Sequence, residues 1–195
     1  MRKKSWRREF AGLVEDSFDY LCAQKRYIYA VALIFLASAI VGFVFASSLS
    51  FFDNILKDVA EKTSGLDYLE LIWFIFSNNI TSSLTALFLG VFFGVFPLFN
   101  ALFNGSLLGY VYSKVVPIEG YLVIWRLFPH GLLELPAVFI SLGLGVHLGA
   151  SLFGSNRRET FVVRWKESMK VFLVIVFPLL ALAAIIESTL IVFAG

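Results

Sequence analysis

A histidine and a glutamate stand four residues apart in a segment that is otherwise apolar enough to cross a bilayer. His130 and Glu134 would share one face of a helix, because side chains at i and i+4 lie above one another. Ionisable side chains within a membrane are costly and indicate a functional site by default. The pair could bind zinc or relay a proton. It could instead hydrogen-bond backbone groups that Pro129 and Pro136 leave without partners.

Two side chains are too few to form a metal site by themselves. His147 cannot join His130 from the same helix, because 17 residues of helical rise separate the two by about 25 Å. The His-Glu-x-x-His spacing of zinc proteases is also missing from the sequence. The pattern therefore favours a structural or partner-recognising pair. The alternatives are a proton or ion site and, after that, a metal site at His130 and Glu134.

Further polar side chains interrupt the other apolar stretches. Glu187 lies in the last of them, and Asn104 precedes Gly105 in an earlier one. We expect Glu187 at a depth similar to that of Glu134, where two close carboxylates would leave one protonated. The alternative is that Glu187 reaches water at the interface. The amide of Asn104 could bridge two helices, whereas Asn79 is expected to cap a helix or to lie in a turn.

The composition indicates an integral membrane protein. Of 195 residues, 59% are hydrophobic and 15% are charged, against about 45–50% and about 25% in soluble domains. No polar stretch is long enough to form a second core. The predicted fold class is therefore all-α, with an amphipathic cytoplasmic or interfacial segment over residues 1–26 and a single helical transmembrane domain over residues 27–195.

About five transmembrane helices are predicted from the apolar runs. We expect helix breaks or turns at Asn78-Asn79, at residues 97–100 and at residues 114–120, and a kink or a break at Pro129 and Pro136. An acidic loop over residues 50–70 should contain a short amphipathic helix at 52–62, and residues 154–170 should form a basic polar connector. The predicted spans are residues 27–49, 80–96, 101–116, 122–153 and 171–193.

The basic residues predict the orientation in the cell membrane. The N-terminal segment and the 154–170 connector carry most of the Lys and Arg, whereas the 50–70 loop is mostly acidic. Short loops rich in Lys and Arg stay in the cytoplasm. A multi-pass protein with five spans would then have its N-terminus in the cytoplasm and its C-terminus outside.

Glycines recur at a spacing of four residues, which lets two helices approach closely. Packing within the chain and homodimer formation both explain this spacing, and we expect a homo-oligomer, most simply a dimer. The pairs are Gly90 and Gly94, Gly105 and Gly109, and Gly145 and Gly149.

The stretch Phe128-Pro-His-Gly-Leu-Leu-Glu-Leu-Pro-Ala137 resembles the central signature of the stage II sporulation protein M family. The resemblance covers about residues 70–193 and includes Asn79 together with the glycines of the first two pairs. The positions that match the family signature are His130, Gly131, Glu134, Pro136, Asn104 and Glu187.

The resemblance implies a membrane component of a protein assembly, since sporulation members help to anchor enzymes that remodel peptidoglycan. We therefore expect a non-enzymatic membrane scaffold without a cofactor. Its expected partners are membrane lipid and membrane or cell-envelope proteins, and not nucleic acid. A transporter or channel subunit with an intramembrane His/Glu site is the first alternative, and an intramembrane metalloenzyme is the second.

Overall fold

The computed structural model describes residues 2–120, 124–153 and 156–194, and the side chains of residues 2–7, 119, 124–130 and 194 lie outside this description. The described part of the chain is helical and contains no strand, which confirms the predicted fold class. The helices are α1 (Arg2–Ala23), α2 (Lys25–Val44), α3 (Phe52–Thr63), α4 (Tyr68–Leu89), α5 (Val95–Glu119), α6 (Ile124–Gly149), α7 (Arg157–Val171) and α8 (Phe177–Ala194). Short 3₁₀ segments lie at Ala46–Leu49 and Ala150–Phe153, and a π segment lies at Phe172–Val176.

Local sequence explains where α3 ends and α4 begins. Gly65 adopts a φ of 83° directly after α3, a left-handed conformation that glycine adopts without steric cost. The Asp67 carboxylate then accepts hydrogen bonds from the backbone N–H groups of Leu69 and Glu70, and the Glu70 carboxylate accepts one from the Asp67 N–H. This capping box satisfies N–H groups that the first turn of a helix leaves open. The short amphipathic helix predicted at residues 52–62 is thus present as α3.

Contacts between α2 and α5 show how the two helices run relative to each other. Gly105 lies against the backbone of Phe35, and further along the same two helices the rings of Phe43 and Tyr112 are 5.6 Å apart. These helices therefore run parallel. They lead away from the end of the bundle that carries α7, here called the α7 end, and toward the end that carries α3, the α3 end.

The helices α4 and α8 run antiparallel to each other. The hydroxyls of Tyr68 and Thr189 are 2.9 Å apart, whereas the rings of Phe76 and Phe177 are 5.4 Å apart. Helix α6 runs in the same direction as α4, from the α3 end to the α7 end, where Gly149 meets Gly90. A buried cluster joins these three helices and the π segment: Leu87, Ala137, Ile140, Leu144, Val171, Phe172, Val176 and Leu180.

Four stretches of the described residues are long and apolar enough to cross a membrane, where about five were predicted. Helix α5 is not among them, because Asn100, Asn104 and Lys114 interrupt its apolar residues. It nevertheless packs along α2 and runs between the same two ends of the bundle. The four stretches are Lys25–Val44, Tyr68–Leu89, Gly131–Phe153 and the continuous helical run Arg157–Phe193.

The predicted break at Asn78-Asn79 is wrong, because α4 continues through both residues. Tertiary packing of α4 outweighs the weak preference of asparagine for turns. The chain turns instead at residues 90–94, where Phe93 and Gly94 have φ values of 57° and 73°. Pro97 does not mark a break, since it occupies the first turn of α5, where a missing N–H costs no helical hydrogen bond.

Three further boundaries differ from the prediction. Helix α5 continues through Pro117 and ends at Gly120, whose φ is 81°. Helix α6 continues through Pro129 and Pro136 without the predicted break, since neighbouring groups in a packed bundle can satisfy the backbone that proline frees. Residues 157–170 of the predicted connector are helical and belong to α7.

The amphipathic N-terminal helix α1 packs against α7 and the π segment. Its buried face includes Ser17, which is 1% exposed, and Leu21, which packs against the cluster around Phe172. Toward the N-terminus of the same helix, Phe10 is exposed. The C-terminal half of α1 is therefore docked onto the bundle.

Candidate functional site

Glycines bring α4 and the α4–α5 turn against α6. A Cβ atom on Gly90 would collide with the backbone of Gly145, and one on Gly149 would collide with the backbone of Gly94 and Gly90. A Cβ on Gly145 would meet the Ala86 carbonyl oxygen and the Pro97 ring, both at 2.7 Å. Two of the predicted glycine pairs thus face each other within one chain.

The third glycine pair forms a second contact, between α5 and α2. A Cβ on Gly105 would collide with Ser38 and the Phe35 carbonyl, and one on Gly109 would collide with the Ala39 carbonyl. All three pairs therefore serve packing within the chain, which was one of the two explanations for the spacing. They give no separate support to a homodimer, and the homodimer stays a prediction.

The predicted signature lies in the first half of α6, toward the α3 end. Pro129 and His130 belong to the helix, but their side chains lie outside the described residues. Gly131 has room for a Cβ, with Leu135 Cδ1 at 3.5 Å, so its role is not one of close packing. Glu134 is partly buried and has an interaction partner, whereas Pro136 is exposed.

Glu134 and Glu187 flank the same end of the buried cluster between α6 and α8. Glu134 comes three residues before Ala137 of that cluster, and Glu187 comes seven residues after Leu180. Because α6 and α8 run antiparallel, Ala137 and Leu180 mark the same end of it. Glu187 is also partly buried and has an interaction partner. Two carboxylates in such positions could take up a proton or attract a cation.

Asn104 forms its hydrogen bonds within its own helix. Its Nδ2 atom donates to the Asn100 carbonyl oxygen at 3.0 Å and to Asn100 Oδ1 at 2.9 Å. These bonds do not bridge helices, which was the predicted role of the Asn104 amide. Asn79 lies in the interior of α4 and is partly buried, so it is neither a cap nor a turn residue.

A second polar cluster lies at the α7 end, where α1, α6 and α7 meet. Among the described residues, Tyr20 Oη, His147 Nδ1 and Ser168 Oγ are buried atoms without a hydrogen-bond partner. The rings of Tyr20 and His147 are 6.1 Å apart. Burial raises the pKa of Tyr20, and the nearby Ser168 hydroxyl and Arg164 guanidinium oppose that rise only in part. The two hydroxyls are therefore close neighbours, although neither has a hydrogen-bond partner within 3.5 Å.

Two arginines surround this cluster. Arg164 of α7 donates a hydrogen bond to the His147 carbonyl oxygen, and both Arg164 and Arg26 act electrostatically on His147. Arg26 also donates to Tyr27 Oη at 3.1 Å. The Tyr27 ring in turn lies 4.9 Å from the His147 ring. This end of the bundle therefore combines buried hydrogen-bonding groups with positive charge.

The described residues contain no group of three or more His, Cys, Asp or Glu side chains that could hold a metal ion. His130 lies outside that search. The carboxylates near the α3 end could handle protons or cations, whereas the cluster at the α7 end is built to donate hydrogen bonds.

Comparison with known proteins gives one family. The family model described as stage II sporulation protein M matches residues 31–190. This chain belongs to that family. An uncharacterised protein of Methanocaldococcus jannaschii is 28% identical over 184 residues, covering 85% of this chain and 81% of the relative. No solved structure matches this member of the sporulation protein M family.

Sequence reasoning missed two features of this family member, which are further glycine contacts between helices and the polar cluster at the α7 end. Gly42 of α2 meets the backbone of Ser106, and Gly143 of α6 meets Ile28. Ser38 and Gly42 have the same four-residue spacing as the pairs that were found, so the signal was present. The Tyr20–His147–Ser168 cluster had no such signal, because its members come from three helices that are distant in the sequence.

Proposed function

We propose that this protein is a non-enzymatic membrane component of a protein assembly. The observation that carries the proposal is the position of the signature helix at the centre of the bundle. In the apolar stretch within Gly131–Phe153, 61% of the residues are buried. In the apolar stretches of the other three candidate spans, 22–33% are buried. A helix that is buried by its own chain serves to hold neighbouring helices in place.

Tight packing at the α7 end supports a scaffold function rather than a pathway for solutes. Gly145 and Gly149 place the α6 backbone directly against α4 and the α4–α5 turn. A solute would need these helices to separate before it could pass. Four apolar stretches and the family membership indicate a membrane protein, and a cell-membrane location with α1 and α7 in the cytoplasm is part of the proposal.

A transporter or channel subunit is the second candidate function. Its support is that Glu134 and Glu187, both partly buried, flank the same end of the α6–α8 cluster. A π segment, Phe172–Val176, contributes residues to the same buried cluster, and such segments are frequent at functional sites.

The deciding experiment measures flux and partners with the same variants. Purified protein in liposomes is assayed for proton and cation flux as wild type, Glu134→Gln and the matched control Glu61→Gln, which alters an exposed carboxylate of α3. The scaffold proposal predicts no flux above that of empty liposomes in any of them. Flux that Glu134→Gln abolishes and Glu61→Gln preserves would replace the scaffold with a transporter.

The positive test of a scaffold uses crosslinking in native membranes, followed by mass spectrometry. Wild type and Glu61→Gln should retain the same membrane or cell-envelope proteins, at a stoichiometry that is reproducible between preparations. Glu134→Gln should lower the melting temperature and lose partners in proportion to the loss of folded protein. Recovery of this chain alone at every expression level would contradict the proposal.

A further inference from the structure

We infer that the cluster at the α7 end is a binding site for an oxyanion of the phosphate class. Its residues are Tyr20 of α1, Arg26 and Tyr27 of α2, His147 of α6, and Arg164 and Ser168 of α7. This inference is independent of the proposed scaffold function, because it concerns the opposite end of α6 from Glu134 and needs no protein partner.

The first step is the set of buried groups without partners. His147 is 5% exposed and Ser168 is 1% exposed, and Tyr20 Oη is buried beside them. Buried polar atoms in folded proteins nearly always have a hydrogen-bond partner. Six buried side-chain atoms of the described residues lack one, and three of the six lie at this one junction of helices, which points to a ligand that supplies the partner.

The second step is the chemistry that such a ligand needs. The two hydroxyls can donate, as can His147 in the tautomer that carries its hydrogen on Nδ1, and the arginines carry only donors. A ligand that satisfies them must accept several hydrogen bonds and carry negative charge. Phosphate oxygens do both, and arginine recognises them with a fork of two N–H groups.

The third step is charge balance at this site. The acidic side chain nearest to the cluster on α7 is Glu167, and it forms an ion pair with Lys170 at 2.7 Å. Glu167 therefore has its own cation and does not neutralise both arginines. A bound phosphate dianion would neutralise both arginines, and the single charge of a lipid phosphodiester would neutralise one of them.

The fourth step is access from the membrane surface. Arg26 is exposed where α2 begins and Arg164 is partly exposed, so both guanidinium groups lie near the rim of the bundle. Tyr20 belongs to α1, which contacts the bundle mainly through α7 and the π segment. A small outward movement of α1 would open the buried hydroxyls to a headgroup. Basic pockets between membrane helices bind lipid headgroups in other membrane proteins.

The test measures binding to the full-length protein in detergent by calorimetry. The probes are short-chain phosphatidylglycerol, short-chain phosphatidylcholine and inorganic phosphate. The variants are Arg164→Gln, Arg26→Gln and Tyr20→Phe, with Arg158→Gln as the matched control on the exposed face of α7. Arg164→Gln and Arg26→Gln should each weaken binding at least tenfold, Tyr20→Phe about threefold, and Arg158→Gln less than twofold.

The probes separate the two sources of the phosphate group. Binding of phosphatidylglycerol that exceeds that of phosphatidylcholine, without binding of inorganic phosphate, assigns the site to an anionic lipid. Saturable binding of inorganic phosphate assigns it to a soluble phosphate compound. No binding of any probe, or equal losses in Arg164→Gln and Arg158→Gln, would overturn the inference and leave water as the occupant.

Arg164→Gln also removes the hydrogen bond to the His147 carbonyl, so the folded state of each variant is checked by its melting temperature. If Arg164→Gln does not fold, Arg26→Gln and Tyr20→Phe decide the result, since neither removes that bond. Unchanged binding in both would overturn the inference.

Discussion

Glycine at position 149 allows α6 to touch the α4–α5 turn backbone to backbone. The atoms that a Cβ would meet belong to the main chain of Gly94, Gly90 and Phe93, and they cannot rotate away as the end of a side chain can. Overpacking of this kind typically costs about 1–3 kcal/mol. Close packing of α6 against the α4–α5 turn therefore requires glycine at this position.

We predict that Gly149→Ala lowers the melting temperature in detergent, because the helices must separate to admit the methyl group. Gly12→Ala in α1 is the matched control, since a Cβ there meets nothing within 4 Å. Alanine at that helical position should leave the stability unchanged or raise it by about 0.5–1 kcal/mol. Equal melting temperatures for Gly149→Ala and wild type would contradict the packing found here.

Asp53 ties α3 to α5 in a pH-dependent way. Its Oδ1 atom is 3.6 Å from Lys114 Nζ, and the Tyr110 hydroxyl and the Lys114 ammonium lower the pKa of the Asp53 carboxyl below 3.8. A lowered folded-state pKa favours folding above pH 3.8, and this contribution is lost as the pH falls through the lowered value.

We therefore predict that the difference in melting temperature between wild type and Asp53→Asn is largest above pH 4 and shrinks below it. The contribution should be small, because the pair is exposed. Thermal unfolding between about pH 2.5 and pH 6 measures it. In Lys114→Gln the pH dependence should weaken, and the same profile in Lys114→Gln as in wild type would contradict the role of Lys114.

Helix α1 is a peripheral helix, and the small side chain of Ser17 helps it to dock onto the bundle. The hydroxyl of Ser17 bonds to the Leu13 carbonyl at 2.7 Å within α1, so the side chain presents little bulk to the rest of the bundle. Leu21 and Tyr20 on the same face pack against the core cluster around Phe172.

We predict that Ser17→Leu detaches α1, because a larger side chain does not fit where Ser17 is 1% exposed. Amide hydrogen exchange should rise in residues 8–23 and stay low in α6. Ala11→Leu places the same side chain at an exposed position of the same helix and should leave exchange unchanged. Equal protection of α1 in both variants would show that Ser17 does not control docking.

In the bundle as a whole, the directions of the helices place α1 and α7 at one end and α3 at the opposite end. Cys22 of α1 is exposed, and Ser64 follows α3 and is also exposed. These two positions therefore report on opposite ends of the bundle.

We predict that a membrane-impermeant maleimide leaves Cys22 unlabelled in intact cells and labels it after permeabilisation. The variant Cys22→Ser/Ser64→Cys should be labelled in intact cells, because short basic loops stay in the cytoplasm and α3 then lies outside. The reverse pattern would invert the orientation. Labelling of both positions from one side would contradict the placement of α1 and α3 at opposite ends.

Sequence patterns were enough to predict the fold class, the apolar stretches, the helix in the 50–70 loop and the family. Each of these depends on composition or on spacing within one segment. The apolar composition indicates a membrane, and the Pro-His-Gly-x-x-Glu-x-Pro-Ala stretch of residues 129–137 resembles the family signature because its order is specific. The spacing of glycines likewise predicted close helix contacts, although not which helices would meet.

The packing of the helices against one another sets where the helices end, which glycines meet and which polar groups come together. Asn78 and Pro136 are weak or local signals that packing overrides, so breaks predicted there did not occur. Tyr20, His147 and Ser168 lie in three separate helices, and their proximity depends on how α1, α6 and α7 pack. The spacing of apolar side chains predicts the helix to which they belong. Their partners on other helices depend on the direction and register in which whole helices pack.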